Sequence, residues 1–228
     1  DANPAFTITY SGFKNNETSS IVDTPPAAST TATVTSGVGT YPISVSGGTD
    51  NNYTFTYASG TLTVARAVVT ATADNKSKVY GDSNPFLTVS YSGFRNGENE
   101  TVLDALPTAS TTATPLTNAG TATITLSGGS DANYTLSLVN GTLTISKATL
   151  TATADNKSRG YGDANPDFTV TYTGFKNSET ASVIDTPPVG SSIATLTSNT
   201  GSYPITLSGG TDKDRKSTRL NSSHLGIS

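Results

Sequence analysis

The chain has 228 residues, a net charge of −4 and a charged fraction of only 13%, about half of what soluble domains usually carry. With no Cys, disulfides, thiolate metal sites and cysteine nucleophiles are excluded, and with His224 as the single His, a Ser/His/Asp triad or an ordinary zinc site cannot be built ahead of Lys213. Residues 213–228 hold four of the basic groups (Lys213, Arg215, Lys216, Arg219) against Asp214, which leaves a body of nine basic and sixteen acidic groups, or −7. Such a body offers no footprint for nucleic acid. No apolar run is long enough to cross a membrane, so no membrane insertion is expected of this segment. Without Met, and opening in mid-repeat, the sequence reads as a piece of a longer protein.

Asp1-Ala2-Asn3-Pro4 returns as Asp82-Ser83-Asn84-Pro85 and as Asp163-Ala164-Asn165-Pro166, a period of 81 residues kept without insertion or deletion. The boundaries follow: a partial repeat at 1–66, a complete one at 67–147, a partial one at 148–212, and a divergent tail at 213–228. The 43 threonines alternate with Ile, Val, Leu, Tyr and Phe, as folded strands require and a disordered stalk does not.

In the first repeat, Phe6, Ile8 and Tyr10 alternate as one face of a strand, and the same face returns as Leu87, Val89, Tyr91 and as Phe168, Val170, Tyr172. The complete repeat opens on a strand at Val69, Ala71, Ala73, repeated at Leu150 to Ala154. Tyr80-Gly81-Asp82-Ser83-Asn84-Pro85 is turn chemistry, with Gly free to take positive φ and Pro rigidifying the exit. From Asn96 to Leu106 the alternation stops. A capping Asn, early Glu98 and Glu100, and later Val102 and Leu103 predict one short helix, ended by Pro107, and Asn177 to Ile184 repeats the pattern before Pro187. Three more strands are predicted, around Ala113 and Pro115 (an edge, because of the Pro), at Ala122 to Leu126, and at Tyr134 to Ile145 with a turn at Asn140-Gly141.

The predicted fold class is mostly β (α+β), a tandem array of β-grasp-like units with one short helix each, with immunoglobulin-like β-sandwich repeats as the alternative. At Arg66 and Lys147 strand runs into strand with no flexible spacer, so neighbouring repeats are expected to be partners in the same chain.

Candidate chemistry is sparse. Glu17, Glu98 and Glu179 recur at one position, as do Asp1, Asp82 and Asp163, but they read as helix-start and turn residues rather than a catalytic acid pair. The chain is therefore expected not to be an enzyme. Ser127-Gly128-Gly129-Ser130-Asp131 has oxygen ligands that suit calcium, yet a hairpin turn already explains it, so no cofactor is expected. Tyr80 and Tyr161 could meet glycans, or bury the ring at a strand end with the hydroxyl in water. Lys76 and Lys157 read as exposed loop residues rather than isopeptide donors.

The runs Ala73-Asp74-Asn75-Lys76-Ser77-Lys78-Val79-Tyr80-Gly81-Asp82-Ser83-Asn84-Pro85, Tyr91-Ser92-Gly93-Phe94, Ser127-Gly128-Gly129 to Asn133-Tyr134-Thr135, and Asn140-Gly141-Thr142-Leu143-Thr144-Ile145 resemble the MBG family of bacterial surface repeats, YGX type. The residues that define the motif are Tyr80, Gly81, Asp82, Asn84 and Pro85, with Tyr161, Gly162, Asp163, Asn165 and Pro166. The resemblance implies an extracellular, cell-surface, adhesin-like protein of bacteria and a relation to β-grasp modules. A structural stalk is the function it implies first, and multivalent binding of host or matrix glycans or proteins the second. It breaks at Lys213, and residues 213–228 resemble a sequence-assembly artefact, which leaves them outside the predicted fold.

Overall fold

A computed structural model describes residues 1–213 and 216–228. Asp214 and Arg215, and the side chains of residues 216–219, on which part of the tail's charge reversal rests, lie outside the described residues. The first repeat forms β1 (Ala27–Thr30), β2 (Gly39–Ser46) and β3 (Gly60–Val64). The complete repeat forms β4 (Ala67–Ala73), β5 (Lys76–Val79), β6 (Val89–Ser92), β7 (Thr108–Ser110), β8 (Gly120–Ser127), β9 (Tyr134–Val139) and β10 (Gly141–Ser146). The third forms β11 (Ala148–Ala154), β12 (Lys157–Arg159), β13 (Val170–Thr173), β14 (Val189–Ser192) and β15 (Gly201–Ser208), and the tail adds β16 (Lys216–Asn221) and β17 (Ser223–Ile227).

The complete repeat makes two sheets, ordered β6-β4-β9 and β5-β10-β8-β7. Five crossings carry the chain between them, and two of these are nearly direct. Asp74-Asn75 separates β4 from β5, and Asn140 separates β9 from β10, so Asn140-Gly141 joins strands of different sheets instead of closing a hairpin. Only glycine fits at 141, because a Cβ there would lie 2.4 Å from the carbonyl oxygen of Ala73. Both crossing strands run parallel to their neighbours, β9 to β4 and β10 to β5. β4 sits in mid-sheet, and the alternation of its faces leaves Val69 and Ala71 fully buried and Val68 exposed.

The first repeat has only the sheet β1-β2-β3, the counterpart of β7-β8-β10. Phe6, Ile8 and Tyr10, predicted as a strand, are not in one, and Tyr53 to Tyr57 are not either. The reason lies in the order β6-β4-β9: the central strand supplies the hydrogen bonds for both neighbours, and the first repeat has no counterpart of it within the sequence. The aromatic rings pack on one another instead, Tyr10 edge-on to Phe55 and Phe55 stacked on Tyr57.

In the third repeat the tail takes the missing places. β16 lies parallel to β11 as β9 does to β4, and β17 lies between β12 and β15 as β10 lies between β5 and β8. Leu225 is fully buried and Ile227 nearly so, in one cluster with Ala154, Ala194 and Ile205. Residues 216–221 and 223–227 are thus part of the sheets, contrary to their expected exclusion from the fold. They supply the alternation β17 needs, Ser223, Leu225 and Ile227 inward against His224 outward.

The mostly β class holds. The expected helix does not: each repeat has a three-residue 3-10 turn, at Ser19–Ile21, Glu100–Val102 and Ala181–Val183. One turn cannot cover a sheet, so the packed helix on which the β-grasp reading rested is absent among the described residues. Pro115 is also displaced from its expected edge strand. That edge is β7, and Pro115 sits in the following loop.

The chain divides into two compact units, Asp1–Thr72 with Ser90–Thr108 and Leu126–Val139, and Ala73–Val89 with Ala109–Thr125 and Asn140–Ser228. Neither unit is a sequence repeat. One contains the junction at Arg66-Ala67 and the other the junction at Lys147-Ala148.

Candidate functional site at the repeat junctions

The motif residues converge on the junction inside the second unit. β5 aligns Tyr80, whose N–H donates to the carbonyl of Ser146 at the end of β10 (2.8 Å), and the residue is 1% exposed. Its hydroxyl donates to Glu179 Oε1 of the following repeat at 2.6 Å. The expected wet hydroxyl is therefore replaced by a charge-assisted bond, stronger than a neutral one. Gly81 turns the chain at φ +87°, and a Cβ on it would lie 2.5 Å from Cβ of Lys176. Asp82 then pairs with the Lys176 ammonium at 3.1 Å. Asn84 Nδ2 donates to the carbonyl of Ala113 at 2.7 Å and so ties the motif to its own repeat, as Asn165 does to Ala194 and Asn3 to Ala32. Pro85 and Pro166 are half-buried at the motif's exit.

The second copy of the motif stands differently. Tyr161 is 61% exposed, a Cβ on Gly162 would meet no atom within 4 Å, and Asp163 accepts from the N–H of Gly160 (3.2 Å) rather than from a basic partner. Tyr80 and Tyr161 share a sequence environment but differ in their spatial neighbours. The burial of Tyr80 thus comes from the next repeat, not from its own.

Two charged side chains that sequence reasoning missed anchor the turn. Lys78, 7% exposed, donates from Nζ to the carbonyls of Thr114 (2.8 Å) and Asp82 (3.2 Å). Arg159, equally buried, reaches the equivalent carbonyl of Thr195 and also Asn165 Oδ1 at 2.8 Å. Their signal was a basic residue held two positions before the Tyr-Gly or one before the Gly-Tyr-Gly, on the strand face opposite Ser77 and Ser158. Lys76 and Lys157, expected as exposed loop residues, are half-buried on that same face, at the starts of β5 and β12.

The recurring glutamates are neither helix-start residues nor a paired acid site. Glu98 accepts the Tyr134 hydroxyl on Oε2 at 2.5 Å and Glu17 accepts that of Tyr53 at the same distance, while each Tyr hydroxyl in turn accepts a backbone N–H, from Arg95 and Lys14 (2.9 Å). Phe94 and Phe13 pack edge-on to those rings at 5.4 Å. Burial first, and then the bond to Glu98, push the Tyr134 phenol upward; for Tyr53 the bond to Glu17 is the first cause. The neighbouring Asn177, expected to cap a helix, takes φ 53° and donates its amide to the carbonyl of Pro115 at 3.3 Å. In the turn weighed as a calcium site, Asp131 Oδ1 accepts from the N–H groups of Asn133 and Tyr134 (2.6 and 2.8 Å), and Asp50 does the same for Asn52 and Tyr53.

The first unit repeats this junction chemistry one period earlier. Asp1 faces Arg95 at 3.9 Å where Asp82 faces Lys176, and Asn96 reaches the carbonyl of Val34 at 3.3 Å where Asn177 reaches that of Pro115. Arg66 donates to the carbonyl of Ala132 (3.1 Å), and Lys147 donates to that of Asp212 (2.7 Å). The arrangement binds one repeat to the next.

No curated protein matches the chain. A family model described as the MBG domain, YGX type, matches three times, over residues 1–63, 69–144 and 150–216. With three matches in tandem over nearly its whole length, the chain belongs to the MBG domain family of YGX type.

Proposed function

We propose that this segment is a structural stalk, a spacer of repeats in an extracellular, adhesin-like protein of the bacterial surface, and that it is not an enzyme. The observation that carries this reading is the recurrence of junction contacts at the period of the sequence: Asp to Arg or Lys, and Asn amide to loop carbonyl, between successive repeats. A protein whose work is done by a single pocket has no use for a duplicated joint, whereas one whose work is reach needs every joint alike. The ion pairs lie at the surface and contribute little each. Their role is to fix the angle rather than to add stability.

The test is small-angle scattering on chains of two, three and four complete repeats. The maximum dimension should rise by a nearly constant step per repeat. Growth as the square root of repeat number, as for flexibly linked beads, or a fixed diameter would overturn the stalk.

A further inference from the structure

Asn-Gly occurs at two places in the chain, Asn96-Gly97 and Asn140-Gly141. The dipeptide is among the most reactive settings for an asparagine, because a following residue without a Cβ leaves its backbone nitrogen free to reach the Asn side chain. The Gly nitrogen attacks Cγ of the Asn. A C–N bond forms as the bond from Cγ to Nδ2 breaks, and the side-chain amide leaves as ammonia, taking the proton of the Gly N–H. Water then opens the cyclic imide at one or other carbonyl, which leaves Asp or, with an extra methylene in the backbone, isoaspartate.

The fold treats the two copies in opposite ways. Gly141 is buried as the first residue of β10, paired with Ile124 and close against the carbonyl of Ala73, so turning its nitrogen toward Asn140 requires the start of β10 to leave β8. Asn96 and Gly97 are both exposed, in a turn closed by a bond from the Glu98 N–H to the carbonyl of Arg95 (2.9 Å). The Gly97 N–H has no hydrogen bond among the described residues, and a Cβ on Gly97 would meet no atom within 4 Å. At the junction inside the second unit, where the preceding repeat is whole, the counterparts Asn177 and Ser178 are exposed as well. The backbone does not require the glycine: the position takes φ 75° at Gly97, but also φ 59° at Asn16 and φ 60° at Ser178. What Gly97 alone adds is access to its nitrogen.

Asn96 is also a working part of the joint. Its Nδ2 donates to the carbonyl of Val34 at 3.3 Å, as Asn177 donates to that of Pro115. An ionised carboxylate can only accept, so conversion sets two acceptors against each other and adds a negative charge two residues from Glu98. We infer that Asn96-Gly97 is a self-modifying site, at which spontaneous deamidation turns the bond from Asn96 to Val34 into a repulsion and loosens that joint with age, while Asn140 and Asn177 are spared.

The experiment incubates the whole chain warm at mildly alkaline pH and follows its proteolytic peptides by mass spectrometry for the exchange of amide for acid, with isoaspartate told from Asp by fragmentation. Asn96 should convert more than about tenfold faster than Asn140 in the folded chain, and the two rates should draw together in denaturant, where no sheet holds Gly141. Gly97→Ser, which copies the Asn177-Ser178 turn, should slow the conversion of Asn96 to that of Asn177. Asn96→Asp, one product of the reaction, should move the NMR amide resonance of Thr35, which follows the Val34 carbonyl, and leave that of Leu116, which follows the Pro115 carbonyl, in place. Equal rates for Asn96 and Asn140 in the folded chain, undiminished conversion in Gly97→Ser, or an unmoved Thr35 resonance would overturn the inference. None of these readouts measures extension, so they stand or fall apart from the scattering test of the stalk.

Discussion

Gly81 and Gly162 occupy the same position of the motif and take nearly the same backbone, φ +87° and +84°, but only Gly81 has a neighbour. A side chain at either site pays for left-handed backbone, about 1–2 kcal/mol. At Gly81 it must also displace Cβ and Cγ of Lys176, at 2.5 and 2.6 Å, which lie at the root of that side chain and cannot swing away. Overpacking of this kind costs a further ~1–3 kcal/mol. Gly81→Ala should therefore lower stability clearly more than Gly162→Ala, and thermal unfolding of the two variants side by side measures the difference. Equal losses would mean that Gly81 is required for its own turn only and not for the junction.

At the level of elements, a strand in this fold persists only when its neighbour is present. β6 and β9 need β4 between them; the matching segments of the first repeat lack such a centre and are not strands. The third repeat shows the converse, since β16 and β17 complete sheets that residues 148–212 leave open. Removing residues 213–228 would take Leu225 and Ile227 out of the cluster around Ile205 and bare the edges of β11, β12 and β15. Burying two such side chains is worth about 3–6 kcal/mol together, a large part of a small domain's stability. Hydrogen exchange on the shortened chain should show loss of protection in β12 and β15 with β1 and β2 unchanged. Unaltered protection of β12 and β15 would show that the tail strands add nothing to the sheet.

At the scale of the whole molecule, four phenols and one carboxylate are held away from their ordinary values. Tyr53, Tyr91, Tyr134 and Tyr172 all lie above the ordinary 10.0, Tyr53 chiefly through Glu17, the others chiefly through burial. A folded state that holds its phenolic protons more tightly than the unfolded chain keeps that contribution in full below about pH 10 and loses it as pH rises through the raised values. Asp155 runs the other way: bonds from the Thr169 and Thr171 hydroxyls hold it below 3.8, so its contribution is present above that value and fades as pH falls through the lowered one. The melting temperature should accordingly stay flat through neutral pH and fall above about pH 10, in step with the ultraviolet signal of phenolate. A melting temperature that rises with phenolate formation would contradict the assignment of the Tyr to Glu bonds.

The order of residues alone carried the period, the mostly β class, the family and the turn at Gly81-Asp82, because alternation and turn chemistry act over a few residues and repeat without interruption. It also singled out Tyr80, Gly81 and Asp82 as residues of the recurring motif. What they do was decided by contacts 94 and 99 residues away, to Lys176 and Glu179, and no local pattern encodes which carboxylate a buried phenol meets. The same limit explains the other differences. Asn99 to Leu103 has the composition of a helix start but only one turn's length of it, Asn140-Gly141 has hairpin composition but bridges two sheets, and the tail has no repeat motif yet alternates well enough to fill two open strand positions. Strand partnership is a long-range choice made by whichever edge and apolar face are left uncovered, and that choice exists only once the chain has folded.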